Sequence, residues 1–428
     1  MTVANESIVV TASPATGLID EPVKIHASGL PPGAPLVLRA FLLDSRGTPW
    51  TSRVSVEADA RGTVAADCDG LISSLTVAGG EPVRPFDGTS ISPLRFEIVA
   101  EMSGRPVAVV EVCRRYVADG VRQTELSDRN RSGLLFEPPA DGPRPGVVVV
   151  GGSSGGLFFA SQMAALLAGH GFTALALAYF GGGSLPPHLV EIPLEYFTST
   201  LDWFSSLASV KRDSVGVMGI SRGAELVMLL GSRTPLVRAV VAYSPSNIVW
   251  SGLRGDSPSE TSAWTHGGKP IPFASLTDPR FAGVRKRVFA SSPIELMPMF
   301  EAAFAGHVPA EAAIPVEQTN GPILLVSGED DRMWPATWMG ERIMERLAAC
   351  GHPFPSRHVH YPEAGHFMRA PGVSTSVLNG KFALGGKRAG QATANRAAWT
   401  ETLSFLGATL GMPERRDWLA VTGGQRCR

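Results

Sequence analysis

The chain has 428 residues, with 38 Lys and Arg against 39 Asp and Glu, for a net charge of −1. That balance excludes a broad basic surface, so nucleic acid is not an expected partner. No apolar stretch approaches the length needed to span a bilayer, and the length leaves room for two domains.

The N-terminus, Met1-Thr-Val-Ala-Asn-Glu, lacks the charged-then-apolar pattern of a secretory signal. Cys68, Cys113, Cys350 and Cys427 are scattered, with no CxxC pair. A disulfide framework or zinc site is therefore not expected. The thiols read as reduced and the protein as cytoplasmic.

Residues 1–112 read as β-rich. Ile8–Ala12, Val23–Ala27, Leu36–Leu43, Arg53–Glu57 and Leu94–Glu101 are short apolar runs separated by turn clusters such as Gly29-Leu-Pro-Pro-Gly33. Such spacing predicts a β-sandwich. From Cys113 the pattern changes to alternating strands and helices, which predicts a mostly parallel sheet covered on both faces. Strands are expected at Arg144–Val150, Phe172–Phe180, Leu236–Tyr243 and Ile323–Val326, with a further strand starting at Arg357. Helices are expected at Phe158–Ala168, Leu194–Leu207, Trp338–Ala349 and Ala394–Leu410. In the second helix Phe197, Leu201 and Phe204 recur at core spacing.

Residues 244–319 show little strand pattern. Their place in the chain makes them a candidate lid, with Met297, Met299, Phe300 and Phe304 as apolar lining; the alternative is a helical decoration packed elsewhere. Residues 113–411 form the second domain on this reading, and 412–428 a poorly ordered tail.

The chemistry concentrates in three places. Val215-Gly-Val-Met-Gly-Ile-Ser221-Arg-Gly223 is a buried strand running into a Gly-x-Ser-x-Gly turn and then a helix. That context lifts a serine hydroxyl clear of the sheet. The strand ending at Val326 leads to Gly328-Glu-Asp-Asp331, and the strand starting at Arg357 leads to Ala364-Gly-His366. Serine, aspartate, histidine is the chain order of α/β-hydrolases. His366 would take the Ser221 proton and an aspartate would orient the imidazole. Asp331 is preferred to Asp330, which is the alternative and a possible helix cap.

An oxyanion formed at Ser221 needs two amide donors. One candidate is the amide of Arg222, at the N-terminus of the following helix. The other lies in the glycine-rich loop after Val150, within Gly152, Ser153, Ser154 and Gly155. That loop lacks Gly-Lys-Ser/Thr, so it is not a nucleotide P-loop. No cofactor or metal is expected.

Several segments together resemble the type I acyl-CoA thioesterase and bile acid-CoA:amino acid N-acyltransferase family. They are Ala12-Ser-Pro, Ala168–Tyr179, Ile192–Phe197, Gly219–Ala224, Ile314–Glu317, Gly328–Pro335 and Ala364-Gly-His366. The resemblance implies an N-terminal immunoglobulin-like β-sandwich followed by an α/β-hydrolase domain. It implies a triad of Ser221, Asp331 and His366, and an acyl-CoA or acyl-carrier thioester as substrate. Family thioesterases carry serine at the nucleophile and the amino-acid transferases typically cysteine, so Ser221 points to water as acceptor. Transfer of the acyl group to an amine or alcohol is the alternative. A plain carboxylesterase and a non-catalytic binding scaffold are further readings.

Overall fold

The computed structural model describes residues 8–78, 91–127, 131–306 and 308–412. In the first region, strands alternate between a buried and an exposed face. Pro35–Leu43 buries Leu36, Leu38, Ala40 and Leu42, as a strand with one face on a core must. Six strands form one sheet, in the order Thr16–Leu18, Arg105–Arg115, Leu94–Met102, Pro35–Leu43, Pro49–Glu57, Thr76–Val77. Val9–Ser13, Lys24–Ser28 and Val64–Asp67 form a second. Ile25 and Val64 of one sheet share a core with Leu36, Phe96 and Ile98 of the other, which makes the region a two-sheet sandwich.

All five expected strands form. Val64–Asp67 and Thr76–Val77 are short and carry little apolar pattern, so they escape a sequence reading. Strand Arg105–Arg115 belongs wholly to the first region's sheet and carries residues 112 and 113 within it. Cys113, expected as a free thiol, is disulfide-bonded. Cys68 and Cys350 are free, and Cys427 lies outside the described residues, as does most of the expected tail.

The second region is built on eight strands: β1 (Arg122–Ser127), β2 (Ser132–Glu137), β3 (Arg144–Val150), β4 (Thr173–Ala178), β5 (Val210–Ile220), β6 (Val237–Tyr243), β7 (Ile323–Gly328) and β8 (Arg357–Tyr361). Their order is β1-β2-β4-β3-β5-β6-β7-β8. β2 runs antiparallel to both neighbours, and β4 to β8 with β3 are mutually parallel. Every residue of β4 and β7 is buried. Central parallel strands are covered on both faces, which is why they read as unbroken apolar runs.

The helices are α1 (Phe158–Gly169), α2 (Leu194–Ser205), α3 (Arg222–Arg233), α4 (Ala282–Ala290), α5 (Met297–Ala305), α6 (Ala336–Ala349) and α7 (Arg388–Leu410). α2, α3 and α6 cover one face of the sheet, and α1 and α7 the other. Phe197, Leu201 and Phe204 of α2 are buried in the core, as their spacing predicts. α7 begins six residues before the expected Ala394 and ends at Gly411, whose left-handed φ of 71° closes the helix.

The segment between β6 and β7 holds more strand than expected. Ser251–Arg254 pairs with Ser257–Ser262, and Trp264–His266 pairs with Lys269–Pro270, ahead of α4 and α5. The two regions are tied together by Asp20, whose Oδ2 lies 2.5 Å from His170 Nε2 and accepts from Trp399 Nε1 at 2.7 Å. Ser374 adds a bond to the Leu75 carbonyl at 2.9 Å.

Candidate active site

β5 ends at Ile220 and α3 starts at Arg222, so one residue must turn the chain. Ser221 does so at φ 57°, ψ −121°, a conformation L-residues adopt only when the surroundings enforce it. The flanking glycines are required by close approach. A Cβ on Gly219 would lie 2.3 Å from the Gly223 carbonyl oxygen, and one on Gly223 would lie 2.2 Å from that of Gly151.

The loops after β7 and β8 bring two side chains to this turn. His366 Nε2 lies 2.9 Å from Ser221 Oγ, and His366 Nδ1 lies 2.7 Å from Asp331 Oδ2. Asp331 is 2% exposed and His366 5%. Asp331 Oδ1 accepts from the Met333 and Trp334 amides at 2.8 and 3.1 Å, so the carboxylate is held at both oxygens. Asp330 points elsewhere: its Oδ2 accepts from the Gly386 amide at 3.0 Å and its Oδ1 pairs with Arg332 at 2.6 Å. The structure thus brings Asp331, not Asp330, to the histidine.

Neighbours hold the imidazole in place. The Ser244 hydroxyl donates to the His366 carbonyl at 2.6 Å, the His366 amide donates to the Leu384 carbonyl at 2.8 Å, and the Gly365 amide donates to Gln391 Oε1 at 2.9 Å. The Trp334 ring stands edge-on to the imidazole, with centroids 5.6 Å apart. Ser244 and Gln391 lie on a strand end and on α7, and no local motif marks them.

Arg222 is the first residue of α3, so its amide precedes the first intrahelical bond. In the loop after β3, Gly152 packs directly on Ser221: a Cβ there would come within 3.1 Å of Ser221 Cβ. Ser153 lines the same cavity. Ser154 is exposed, and the Gly155 amide is spent on the Gly152 carbonyl at 3.2 Å within the turn. The four loop candidates therefore divide, with Gly152 and Ser153 beside Ser221 and Ser154 and Gly155 forming the turn that supports them. Tyr179 anchors that loop by donating to the Gly151 carbonyl at 2.8 Å.

The Arg222 side chain leaves the reaction centre. Its Nε sits 3.2 Å from Glu225 Oε2 and its Nη2 donates to the Trp250 carbonyl at 3.1 Å. Glu225 also accepts from Trp264 Nε1 at 2.6 Å. The three-residue spacing on a helix carried this signal in the sequence.

A cavity of about 60 Å³, open at its mouth, adjoins Ser221 and His366. Leu276, Phe289, Leu296, Met299 and Phe300 line it from the segment between β6 and β7. Residues of that segment thus form part of the pocket wall. Phe304, expected with them, instead packs edge-on against Trp250 and Trp338 at 5.4 and 4.6 Å. Met297 sits at the start of α5, where its amide bonds to the Arg332 carbonyl.

A serine at the turn between β5 and α3, acid and imidazole on the loops after β7 and β8, and this strand order define an α/β hydrolase. The chain belongs to the BAAT and acyl-CoA thioester hydrolase family, and it is an enzyme. Residues 192–412 match "BAAT / Acyl-CoA thioester hydrolase C terminal" and residues 20–128 match "Acyl-CoA thioester hydrolase/BAAT N-terminal region". The peroxisomal succinyl-coenzyme A thioesterase of Mus musculus is 29% identical over 93% of this chain and 95% of its own. Acyl-coenzyme A thioesterase 1 of Rattus norvegicus is 29% identical over 92% and 94%. Among solved structures, a puromycin-hydrolyzing peptidase of Mycobacterium tuberculosis is similar over 88% of this chain and 54% of its own, at 15% identity and a TM-score of 0.44. No helix among the described residues is long and apolar enough to cross a membrane.

Proposed function

We propose that this enzyme hydrolyses acyl thioesters, with coenzyme A as the thiol carrier, through a serine acyl-enzyme. The observation that carries the reading is the continuous hydrogen-bonded chain Ser221–His366–Asp331 beside an apolar cavity. Ser221 Oγ attacks the thioester carbonyl carbon while His366 Nε2 takes its proton. Asp331 holds the ring tautomer and stabilises the imidazolium. The amides of Arg222 and of Gly152 or Ser153 receive the oxyanion.

The C–S bond then breaks and the thiolate leaves with the proton from His366. A thiolate is a good leaving group, so the acid step is less demanding than in amide cleavage. His366 next deprotonates water, which attacks the acyl-serine carbonyl. The acid departs and Ser221 regains its proton. The apolar lining from Leu276, Phe289 and Met299 suits an acyl chain, which loses water-exposed apolar surface on entry. A cytoplasmic location belongs to the same proposal.

The test is thiol release across a series of acyl-CoA chain lengths, with Ser221→Ala as the blank. Loss of several orders of magnitude in the variant is expected; full activity in Ser221→Ala would remove the reading. Because the family description spans hydrolases and an acyltransferase, product analysis with added amine and alcohol acceptors accompanies the assay. Conjugates in excess of free acid would assign transfer instead of hydrolysis.

A further inference from the structure

Three residues beyond His366 lies a guanidinium in an unusual setting. Arg369 is only 7% exposed. Among the described residues no carboxylate pairs with it. Its Nη2 donates to Gln162 Oε1 at 2.9 Å, and its plane lies over the Phe158 ring at 4.9 Å and the Phe367 ring at 6.0 Å. The buried Tyr116 hydroxyl is its other polar neighbour, and its Nε makes no well-formed hydrogen bond. Burying a cation without a counter-charge is costly, and an apolar side chain of similar volume often does as well or better for stability. Stability is therefore a poor reason for an arginine here.

Its connections suggest another. Phe158 and Gln162, four residues apart, share a face of α1. α1 follows the glycine-rich loop that packs on Ser221. Phe367 and Arg369 belong to the loop that carries His366, and Phe158 and Phe367 stack with centroids 6.2 Å apart. The other flank of this loop is held by neutral bonds from α7: Gln391 accepts from the Gly365 amide at 2.9 Å and Asn395 from the Arg369 amide at 3.2 Å. The Arg369 side chain is the polar link on the α1 side. A hydrogen bond from a planar guanidinium that also lies against a ring fixes distance and plane together, which a hydrophobic contact does not.

We propose that Arg369 is a positioning residue, which sets the spacing between the His366 imidazole and the glycine-rich loop beside Ser221. This rests on the reading of Ser221 and His366 given above. Arg369 touches no reacting atom. Its effect is exerted on how well His366 Nε2 meets the serine hydroxyl when the oxyanion forms, where a displacement of about 1 Å can cost roughly a hundredfold in rate.

The experiment compares Arg369→Met and Arg369→Lys with wild type by three readouts: the rate constant for fluorophosphonate labelling of Ser221, kcat and KM with an acyl-CoA, and the thermal midpoint. Arg369→Met is expected to lower the labelling rate constant and kcat together by about 10- to 100-fold. KM stays within about threefold, and the midpoint is equal or higher because an uncompensated charge is removed. Arg369→Lys keeps the cation among the rings without the planar guanidinium and is expected to fall between. A wild-type labelling rate in Arg369→Met would overturn the proposal. So would a loss of activity matched by a loss of labelled serine, with a normal rate for what remains, because that is the signature of unfolding. If wild type labels yet releases no thiol from any acyl-CoA, the substrate reading falls, and the labelling rates still judge Arg369.

Discussion

Arg222 and Glu225 form a buried ion pair within the first turn of the helix that Ser221 starts, with Arg222 Nε 3.2 Å from Glu225 Oε2. Glu225 is fully buried, and its Oε1 accepts from the indole N–H of Trp264 at 2.6 Å. The pair ties the Ser221 turn to Trp250 and Trp264 in the segment that walls the cavity.

Removing one partner leaves the other charge buried alone. Glu225→Ala is expected to cost about 3–5 kcal/mol of stability. The double variant Arg222→Met/Glu225→Leu, which buries no charge, is expected to recover most of that loss. Urea unfolding of the two singles and the double checks this. A double variant as unstable as the sum of the singles would remove the claim of coupling.

Burial pushes the Glu225 carboxyl up from its ordinary 4.5 to about 7, against the opposing pull of Arg222. The folded protein therefore holds a proton at Glu225 that the unfolded chain has released between those values. The group's stabilising contribution is complete below about pH 4.5 and is lost as pH rises through about 7. Wild type should lose stability relative to Glu225→Gln between about pH 5 and pH 7. Denaturant titrations at fixed pH steps provide the measurement, and the opposite slope would contradict it.

Gly152 has little room for a side chain, since a Cβ would meet the Ile220 carbonyl oxygen at 3.0 Å and Ser221 Cβ at 3.1 Å. Small shifts accommodate it, so Gly152→Ala should fold at a cost of about 1–3 kcal/mol. Those shifts move the proposed oxyanion loop, and turnover should fall by about 10- to 100-fold. Gly223→Ala places its Cβ 2.2 Å from backbone at Gly151, so its loss of stability should be the larger. Melting curves and steady-state rates on both variants give the comparison.

The two adjacent aspartates should separate cleanly in kinetics. Asp331→Asn keeps the side-chain shape and removes the charge facing His366, and kcat is expected to fall by about four orders of magnitude. Asp330→Asn disturbs the contacts to Gly386 and Arg332 and should stay within about tenfold of wild type. Equal losses in the two variants would undo the assignment of Asp331.

Phe289 lines the cavity and is only half-buried, so truncation there enlarges the pocket with modest structural cost. Phe289→Ala should raise the ratio of kcat/KM for long over short acyl-CoA substrates by about tenfold, or roughly 1.4 kcal/mol of differential binding. An unchanged ratio across the chain-length series would exclude Phe289 from acyl recognition.

Much of this protein was legible because its signals are local. The run Val215–Gly223 carries a strand, a sharp turn and a helix start within a few residues, and the apolar runs of β3, β4 and β7 announce a sheet covered on both faces. The acid and histidine follow strand ends in the order an α/β hydrolase requires. What stayed hidden lacks local pattern. Val64–Asp67 is too short to read as a strand. Phe304 looks the same in sequence as Phe300, yet one faces Trp338 and the other the cavity.

By itself, then, the sequence determined the class of fold, the loops that carry Ser221, Asp331 and His366, and the serine proposed as nucleophile. Periodicity, turn chemistry and chain order are properties of neighbouring residues. Only the tertiary structure decided that Asp331 rather than Asp330 meets His366, that Gly152 and Ser153 flank Ser221, and that Arg369 lies buried without a carboxylate. Those outcomes depend on which way a side chain turns once distant segments pack, such as the Gly385–Gly386 backbone bridged to Asp331 and Ala364. Adjacent residues of like composition differ in that respect only after the chain has closed around them.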